Sequence, residues 1–284
     1  VSLKHDKTTP IVLDASDPGT GKTAVRIWAW AERRRKGGGC MLVLAPRSLL
    51  KVAWANDFTK FAPDMKVSVA SADNREKAFA AEADVYITNH DAAGWLAKQK
   101  KAFFARFDYL AIDEITAFKH RTSQRSKAMV RVAQHFKFRR GMTATPNSLG
   151  ITDLWHQAYL IDDGNALGRE FYSFRNTIQE PSRKQAGQKD VVEWTDREGA
   201  EEAVYGILGD LVVRHKKEDC TDIPATFYAF PDVSELLGKK AGNHVIDSTD
   251  TLCDWLLDEH AVAVVPGGAF GAPGSIRLSF ACGE

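Results

Sequence analysis

Six short apolar runs recur along the first half of this chain, Ile11 to Ala15, Met41 to Ala45, Val67 to Ala70, Val85 to Thr88, Tyr109 to Ile112 and Arg140 to Thr143, with helical patterns between them. Runs that stay apolar, separated by helices, predict an α/β fold in which a parallel sheet carries helices on both faces. Ligands of such sheets sit at the carboxyl ends of the strands. Farther on, Asp250 to Glu259 predicts a helix, and Gly187 within the polar run Ser182 to Asp190 predicts a flexible loop. No internal repeat is present.

The run Asp17-Pro18-Gly19-Thr20-Gly21-Lys22-Thr23 lies between the first apolar run and the helix-like Ala24 to Trp28. Glycines let the backbone curl until successive N–H groups face one anion, and the helix that follows presents its positive dipole end. In this setting Lys22 reaches the outer phosphates of a nucleotide and the Thr23 hydroxyl holds Mg²⁺. The general pattern G-x-x-x-x-G-K-[ST] would place a glycine where this chain has Ser16. The variant A-x-x-x-G-x-G-K-T, Ala15 to Thr23, is the form common in helicase-like ATPases. A chance Gly-Lys-Thr in an unrelated turn would lack the flanking strand and helix.

Two further groups follow later runs. Asp113-Glu114 come directly after Tyr109 to Ile112. A carboxylate at a strand tip reaches a phosphate-bridging Mg²⁺, and its neighbour polarises the attacking water. Taken alone, two acids ending a strand form an ordinary loop; behind a phosphate loop they gain a role. Thr143 and Thr145, in Gly141-Met142-Thr143-Ala144-Thr145-Pro146, offer hydroxyls to that acid pair and a route for passing on the state of the terminal phosphate.

Composition narrows the class. With 44% hydrophobic and 26% charged residues among 284, and no apolar run near eighteen residues, the chain reads as a soluble globular protein without a membrane span or signal peptide. Cys40, Cys220, Cys253 and Cys282 stand far apart with no C-x-x-C, which predicts reduced thiols in a cytoplasmic compartment and no zinc site. A formal net charge of +1 means that a polyanion is gripped by a local patch, such as Arg33-Arg34-Arg35-Lys36 or Arg139-Arg140. The first of these reads equally as the solvated end of a helix, favoured by its dipole. The start at Val1, without Met, reads as a fragment or a processed product.

The ordered set DPGTGKT, LVLAPRSLL with Trp54 and Phe61-Ala62-Pro63, YITNHD, AIDEITAFK and GMTATPNSLGITDLWHQAYLI resembles the first RecA-like lobe of superfamily 2 helicases, of the Swi/Snf DNA-translocase type. Phe171 to Phe174, and Leu211 to Lys217 leading into Asp222-Ile223-Pro224, resemble the segment that closes this lobe. The resemblance covers about residues 8–224, giving a lobe at 1–224. It implies ATP and Mg²⁺ as cofactors, with Gly19, Thr20 and Gly21 shaping the loop and Lys22 and Thr23 on the phosphates. It further implies Asp113 with Thr23 on the metal, Glu114 orienting the hydrolytic water, and Thr143 and Thr145 coupling hydrolysis to movement. Arg47, Ser48, Thr88, Asn89 and Lys119 match edges that in the family touch the nucleic-acid backbone, double-stranded DNA being the implied partner, in a prokaryotic or phage-infected cell. The acid box reads DEIT where many relatives read DEAH, so Thr116 replaces a histidine that contacts the coupling threonines. The glutamine that reads adenine in many relatives has no clear counterpart; alignment through Leu3-Lys4-His5 puts Asp6 there.

After Pro224 the resemblance implies a second RecA-like lobe bearing arginine fingers, worth on the order of 10³ in rate. The residues that follow do not resemble one, and such a lobe is expected in trans or in a longer parent chain. Instead FYAFPDVS, VAVVPGGAFG and IRLSFA resemble, in order, the C-terminal small domain of aspartate-class pyridoxal-phosphate-dependent aminotransferases, over 225–284, a small α+β segment. Arg277 matches the arginine that grips the substrate carboxylate there. Without the Schiff-base lysine of the large domain, the segment is read as structural. The chain thus reads as a fusion with a seam near Ala225 to Phe230. Three functions stay open: a DNA-dependent ATPase lobe, a module that binds ATP and nucleic acid with negligible turnover, and an aminotransferase-related chimera without cofactor chemistry.

Overall fold

The computed structural model describes residues 2–147, 150–186, 189–217, 228–229, 231–241, 244–260, 262, 264–270 and 272–279. The chain divides into two compact units, Val1–Lys217 and Glu218–Glu284. The seam expected at Ala225 to Phe230, and Asp222-Ile223-Pro224 before it, lie outside the described residues except for 228–229.

The first unit is built on a seven-stranded sheet of β1 (Ile11–Asp14), β2 (Cys40–Ala45), β3 (Val67–Ala70), β4 (Val85–Asn89), β5 (Phe107–Asp113), β6 (Phe138–Met142) and β9 (Val212–Val213), ordered β3-β4-β2-β5-β6-β1-β9. Every neighbouring pair is parallel. Each of the six apolar runs is one of these strands, displaced by no more than two residues at either end. Side chains of a strand alternate between faces, and here both faces are buried. Leu42, Leu44, Leu110 and Ile112 join one apolar cluster with Val132 and Leu154, whereas Met41, Val43, Tyr109 and Ala111 join another with Ile27, Trp30 and Phe58. This is the RecA-like architecture, a parallel sheet between two helical layers.

Two expectations are corrected. Most of the polar run Ser182 to Asp190 belongs to an antiparallel hairpin, β7 (Gln179–Ala186) with β8 (Lys189–Asp196), paired from Gln179↔Asp196 to Ala186↔Lys189; Gly187 lies outside the described residues. The ribbon lies outside the main sheet, so its sequence shows no continuous apolar run. Nor do Arg139 and Arg140 form a polyanion patch. They sit inside β6, with Arg140 wholly inaccessible and Arg139 8% exposed.

Arg140 anchors the first helix, α1 (Ser2–Thr8), to the sheet. Its Nε donates to Asp6 Oδ1 (2.6 Å), Nη2 to the carbonyls of Asp6 (2.7 Å) and Thr9 (2.6 Å), and Nη1 to those of Pro10 (2.6 Å) and Arg139 (3.0 Å). A guanidinium has five donors, and all five have acceptors. Carbonyls at a helix C-terminus lack intrahelical partners, which is the need this cation meets. Asp6 also accepts from Arg26 (2.7 Å) and from the Tyr109 hydroxyl (2.8 Å), while Arg26 pairs with Asp14. The cluster holds two acids and two guanidiniums, each at most 2% exposed. Burial, the leading cause, drives the Tyr109 phenol far above its ordinary value, so it stays a donor. Asp6, aligned with an adenine-reading glutamine, is therefore a structural acid with both oxygens engaged.

The other basic run, at the end of α2 (Lys22–Arg35), is a solvated helix end paired with acids: Arg33 with Asp108 (3.0 Å), Arg34 with Asp84 (2.8 Å) and Arg35 with Asp64 (2.6 Å).

In the second unit, β10 (Tyr228–Ala229), β14 (Ile276–Ser279) and β13 (Val265–Pro266) form an antiparallel sheet in that order, and β11 (Lys240–Ala241) pairs with β12 (His244–Val245). The helix expected at Asp250 to Glu259 spans Thr249–His260, and Val233, Ile246, Leu252, Cys253 and Ile276 form a small core. Arg277 lies on β14 opposite Val265. Cys40 and Cys253 are buried free thiols; Cys220 and Cys282 lie outside the described residues. Among the described residues, no helix is long and apolar enough to cross a membrane.

Candidate functional site

Three neighbouring strands, β5, β6 and β1, end at one level. Asp113 and Asp14 are both in register with Met142. Because the strands are parallel, the loop after β1, the acids ending β5 and the threonines after β6 all leave the same edge of the sheet.

The loop after β1 turns on Gly19 (φ +79°) and Gly21 (φ +80°), a backbone region open to glycine and strained for other residues. A Cβ on Gly21 would meet nothing within 4 Å, so only backbone conformation opposes a side chain there. Lys22 opens α2 at once. Its ammonium donates to the carbonyls of Ser16 (2.7 Å) and Asp17 (2.9 Å), and Thr20 Oγ1 donates to the Asp17 carbonyl (2.8 Å). Ser16 stands where a glycine is usual, and its side chain is used, because Oγ accepts the His215 N–H (2.9 Å). Around it, Asp17 Oδ2 accepts the Lys217 N–H (3.0 Å), the Asp17 N–H donates to the His215 carbonyl (3.0 Å), and the Ala15 N–H donates to that of Val213 (2.8 Å). Residues 213–217 thus fasten one wall of the loop.

At the tip of β5, Glu114 adopts the left-handed conformation (φ 48°, ψ 56°). Such strain in a non-glycine residue concentrates at functional sites. Its N–H donates to Asp113 Oδ1 (3.1 Å), and its own Oε2 accepts from Thr143 Oγ1 (3.4 Å). Thr143 Oγ1 also accepts the Thr145 N–H (3.1 Å). The bond between acid box and threonines is therefore made by Glu114, and it does not depend on the histidine that Thr116 replaces. Burial raises the Glu114 pKa, Asp113's charge raises it further, and Lys22's charge and the Thr143 hydrogen bond oppose them. Lys22 thus lies within electrostatic reach of the acid pair.

The residues expected to touch nucleic acid are less uniform in their placement. Arg47 and Ser48 are exposed after β2. Asn89 accepts from Arg75 (3.4 Å) and donates to Asp91 (3.2 Å). Thr88 is wholly inaccessible, its hydroxyl on the Ala70 carbonyl (2.9 Å), so it braces β4 from beneath and presents nothing to solvent. Lys119 is paired with Asp153 at 3.0 Å, both largely buried.

Two partners of Asp113 stand in strings that carry the resemblance, yet nothing in the sequence assigns them to Asp113. Trp54 Nε1 donates to Asp113 Oδ2 (2.9 Å), and His90 Nε2 donates to the Asp113 carbonyl (2.7 Å), a bond that fixes the proton on that nitrogen. Each pair lies far apart along the chain, and no local pattern signals such a meeting.

The donor set suits Mg²⁺. This ion takes hard oxygens and uses one or two carboxylates beside phosphate oxygens and water, not an all-protein cage. Asp113 and the Thr23 hydroxyl are such oxygens, and among the described residues no group of three or more His, Cys, Asp or Glu gathers to hold an ion by itself.

Two families match the chain, the second from a point inside the first unit. Residues 4–148 match the family described as "Type III restriction enzyme, res subunit", and residues 203–284 match "Aminotransferase class I and II". An uncharacterized ATP-dependent helicase of Mycoplasma pneumoniae is 31% identical over 158 residues, 54% of this chain and 15% of that protein. An aspartate aminotransferase of Streptomyces avermitilis is 46% identical over 65 residues, 23% of this chain and 16% of the enzyme. The chain thus spans only a small part of either relative's length. Among solved structures, the Sulfolobus solfataricus SWI2/SNF2 ATPase core in complex with dsDNA superposes with a TM-score of 0.56 at 21% identity, over 77% of this chain and 42% of that one. With half of its length in the res-subunit match, the chain belongs to that family: it carries a helicase lobe that resembles part of the SWI2/SNF2 ATPase core in fold, and its C-terminal segment matches the class I and II aminotransferases.

Proposed function

We propose that the chain is the ATP-hydrolysing lobe of a DNA-dependent translocase. Helicase-family membership implies ATP binding. The observation that supports hydrolysis is the common register of Asp14, Met142 and Asp113, which brings the glycine loop, the acid pair and Thr143 to one edge. Lys22 and the N–H groups at the start of α2 bind the phosphates. Thr23 and Asp113 would hold Mg²⁺, which when bound neutralises charge developing on the phosphates. Glu114, raised in pKa and hydrogen-bonded to Thr143, orients water and accepts its proton. Thr143 and Thr145 then sense whether Glu114 is engaged. Arg47, Ser48 and Asn89 line the edge assigned to the DNA backbone; Thr88 and Lys119 support it from within. A second lobe completes the site in trans or in a longer chain.

Phosphate release with and without duplex DNA, against a Lys22→Ala control, tests this. DNA-stimulated release that Lys22→Ala abolishes is expected. Release no greater than that of the control would favour the module that binds without turnover.

A further inference from the structure

Trp54 lies in Leu50–Ala55, a stretch wound as a π-helix. This conformation is rare and frequent at functional sites. Its indole is wholly inaccessible and packed in the cluster that holds Ile27, Trp30 and Phe58, with the Phe58 ring centroid 6.3 Å away. Packed this way the ring has one orientation, and its N–H points at a carboxylate 59 residues away in sequence. A donor on an ionised carboxylate makes a bond about twice as strong as one between neutral groups.

Asp113 is consequently held at three atoms. Oδ2 takes the Trp54 N–H, Oδ1 takes the Glu114 N–H, and the carbonyl takes the His90 N–H. A carboxylate oxygen has two lone pairs, so each keeps one for a cation while the carboxylate is locked in rotation. We propose that Trp54 is a positioning residue for Asp113, holding its carboxylate in the one orientation that serves a magnesium–nucleotide complex. The proposal rests on the reading of Asp113 as the metal-holding acid. It extends to the neighbouring edge: Trp54 and exposed Arg47 belong to the same segment after β2, as His90 and Asn89 do at the end of β4. Each of these two segments therefore carries a residue hydrogen-bonded to Asp113.

Partners that orient a metal ligand from behind are worth 10–100-fold in metal affinity. The test uses the full 284-residue chain and the fluorescence of N-methylanthraniloyl-ATP, titrated with Mg²⁺ and, separately, in EDTA. Trp54→Phe keeps an aromatic ring and removes the N–H. The half-saturating Mg²⁺ concentration is expected to rise about tenfold, nucleotide affinity in EDTA to stay unchanged, and the shift to vanish when Asp113→Asn is already present. If the phenylalanine variant does not fold, a benzothiophene analogue at position 54 alone, with sulfur in place of N–H, carries the same measurement. An unchanged Mg²⁺ midpoint in Trp54→Phe beside a raised one in Asp113→Asn overturns the positioning role and leaves the site reading intact. A parallel loss of affinity in EDTA assigns Trp54 to packing and also overturns it. An Asp113→Asn variant with unaltered Mg²⁺ dependence overturns the site reading and this proposal together.

Discussion

Replacing Arg140 by Met keeps the length of the side chain and removes every donor. The structure sets the cost. Five hydrogen bonds disappear, three of them to the carbonyls of Asp6, Thr9 and Pro10, one to that of Arg139 and one to the Asp6 carboxylate. What remains is two buried acids, Asp6 and Asp14, facing the single guanidinium of Arg26. Breaking a buried ion pair by deleting one member costs about 3–5 kcal/mol, because the surviving charge has lost its partner and cannot regain water. For a unit of this size each kcal/mol moves the melting midpoint by about 2–4 °C, so a drop of roughly 6–20 °C is expected. Thermal denaturation followed by far-ultraviolet circular dichroism measures it. Arg139→Met, which removes a half-exposed pair with Asp163 and bonds to two carbonyls, should cost less. A midpoint for Arg140→Met within about 3 °C of the parent, under roughly 1 kcal/mol, would refute the claim that this cation ties α1 to the sheet.

Gly141→Ala would set a Cβ 2.6 Å from Ile115 Cδ1 and 3.0 Å from Leu13 Cδ1; overpacking of this kind costs about 1–3 kcal/mol, readable as a lowered urea midpoint. Because Ile115 follows the acid pair, N-methylanthraniloyl-ATP binding in Mg²⁺ should weaken with it. His156 donates its Nδ1–H to the Phe118 carbonyl (2.6 Å), and burial holds its pKa below the ordinary 6.5. The unfolded chain therefore takes up this proton first as pH falls, so His156 contributes stability that is present above pH 6.5 and is lost as pH drops through the folded-state value. Urea unfolding of the parent and of His156→Gln between about pH 8 and pH 5 should give a shallower acid decline in the variant, and equal slopes would discount the effect.

The sheet was legible because a strand buried on both faces must be apolar throughout, and Leu42 to Ala45 or Leu110 to Ile112 are nothing else. The strand whose start is hidden, β6, begins with Phe138-Arg139: burying arginines contradicts every compositional expectation unless their acids are known, and Asp6 lies 134 residues from Arg140. The hairpin Gln179–Asp196 is hidden for the opposite reason, since its charged and polar run has no apolar stripe to betray a strand. In the site, the glycine loop and the acid pair were readable because each is a local string whose neighbours supply its context. Trp54 on Asp113 and His215 on Ser16 were not, because both are meetings across the fold. The exposure of Arg47 could be read; the burial of Thr88 could not, as only the pairing of β3 with β4 covers its hydroxyl.

The seventh strand has a mechanical sequel. Val212–Val213 joins the sheet beside β1, and the next few residues are stitched, bond for bond, to Ala15, Ser16 and Asp17. Tension applied to the backbone at Lys217 would arrive first at the glycine loop after β1, about two hundred positions upstream in sequence. The strand by which the polypeptide leaves its first unit is in this sense a tether on the glycine loop, and shortening it or cutting it loose should be felt there.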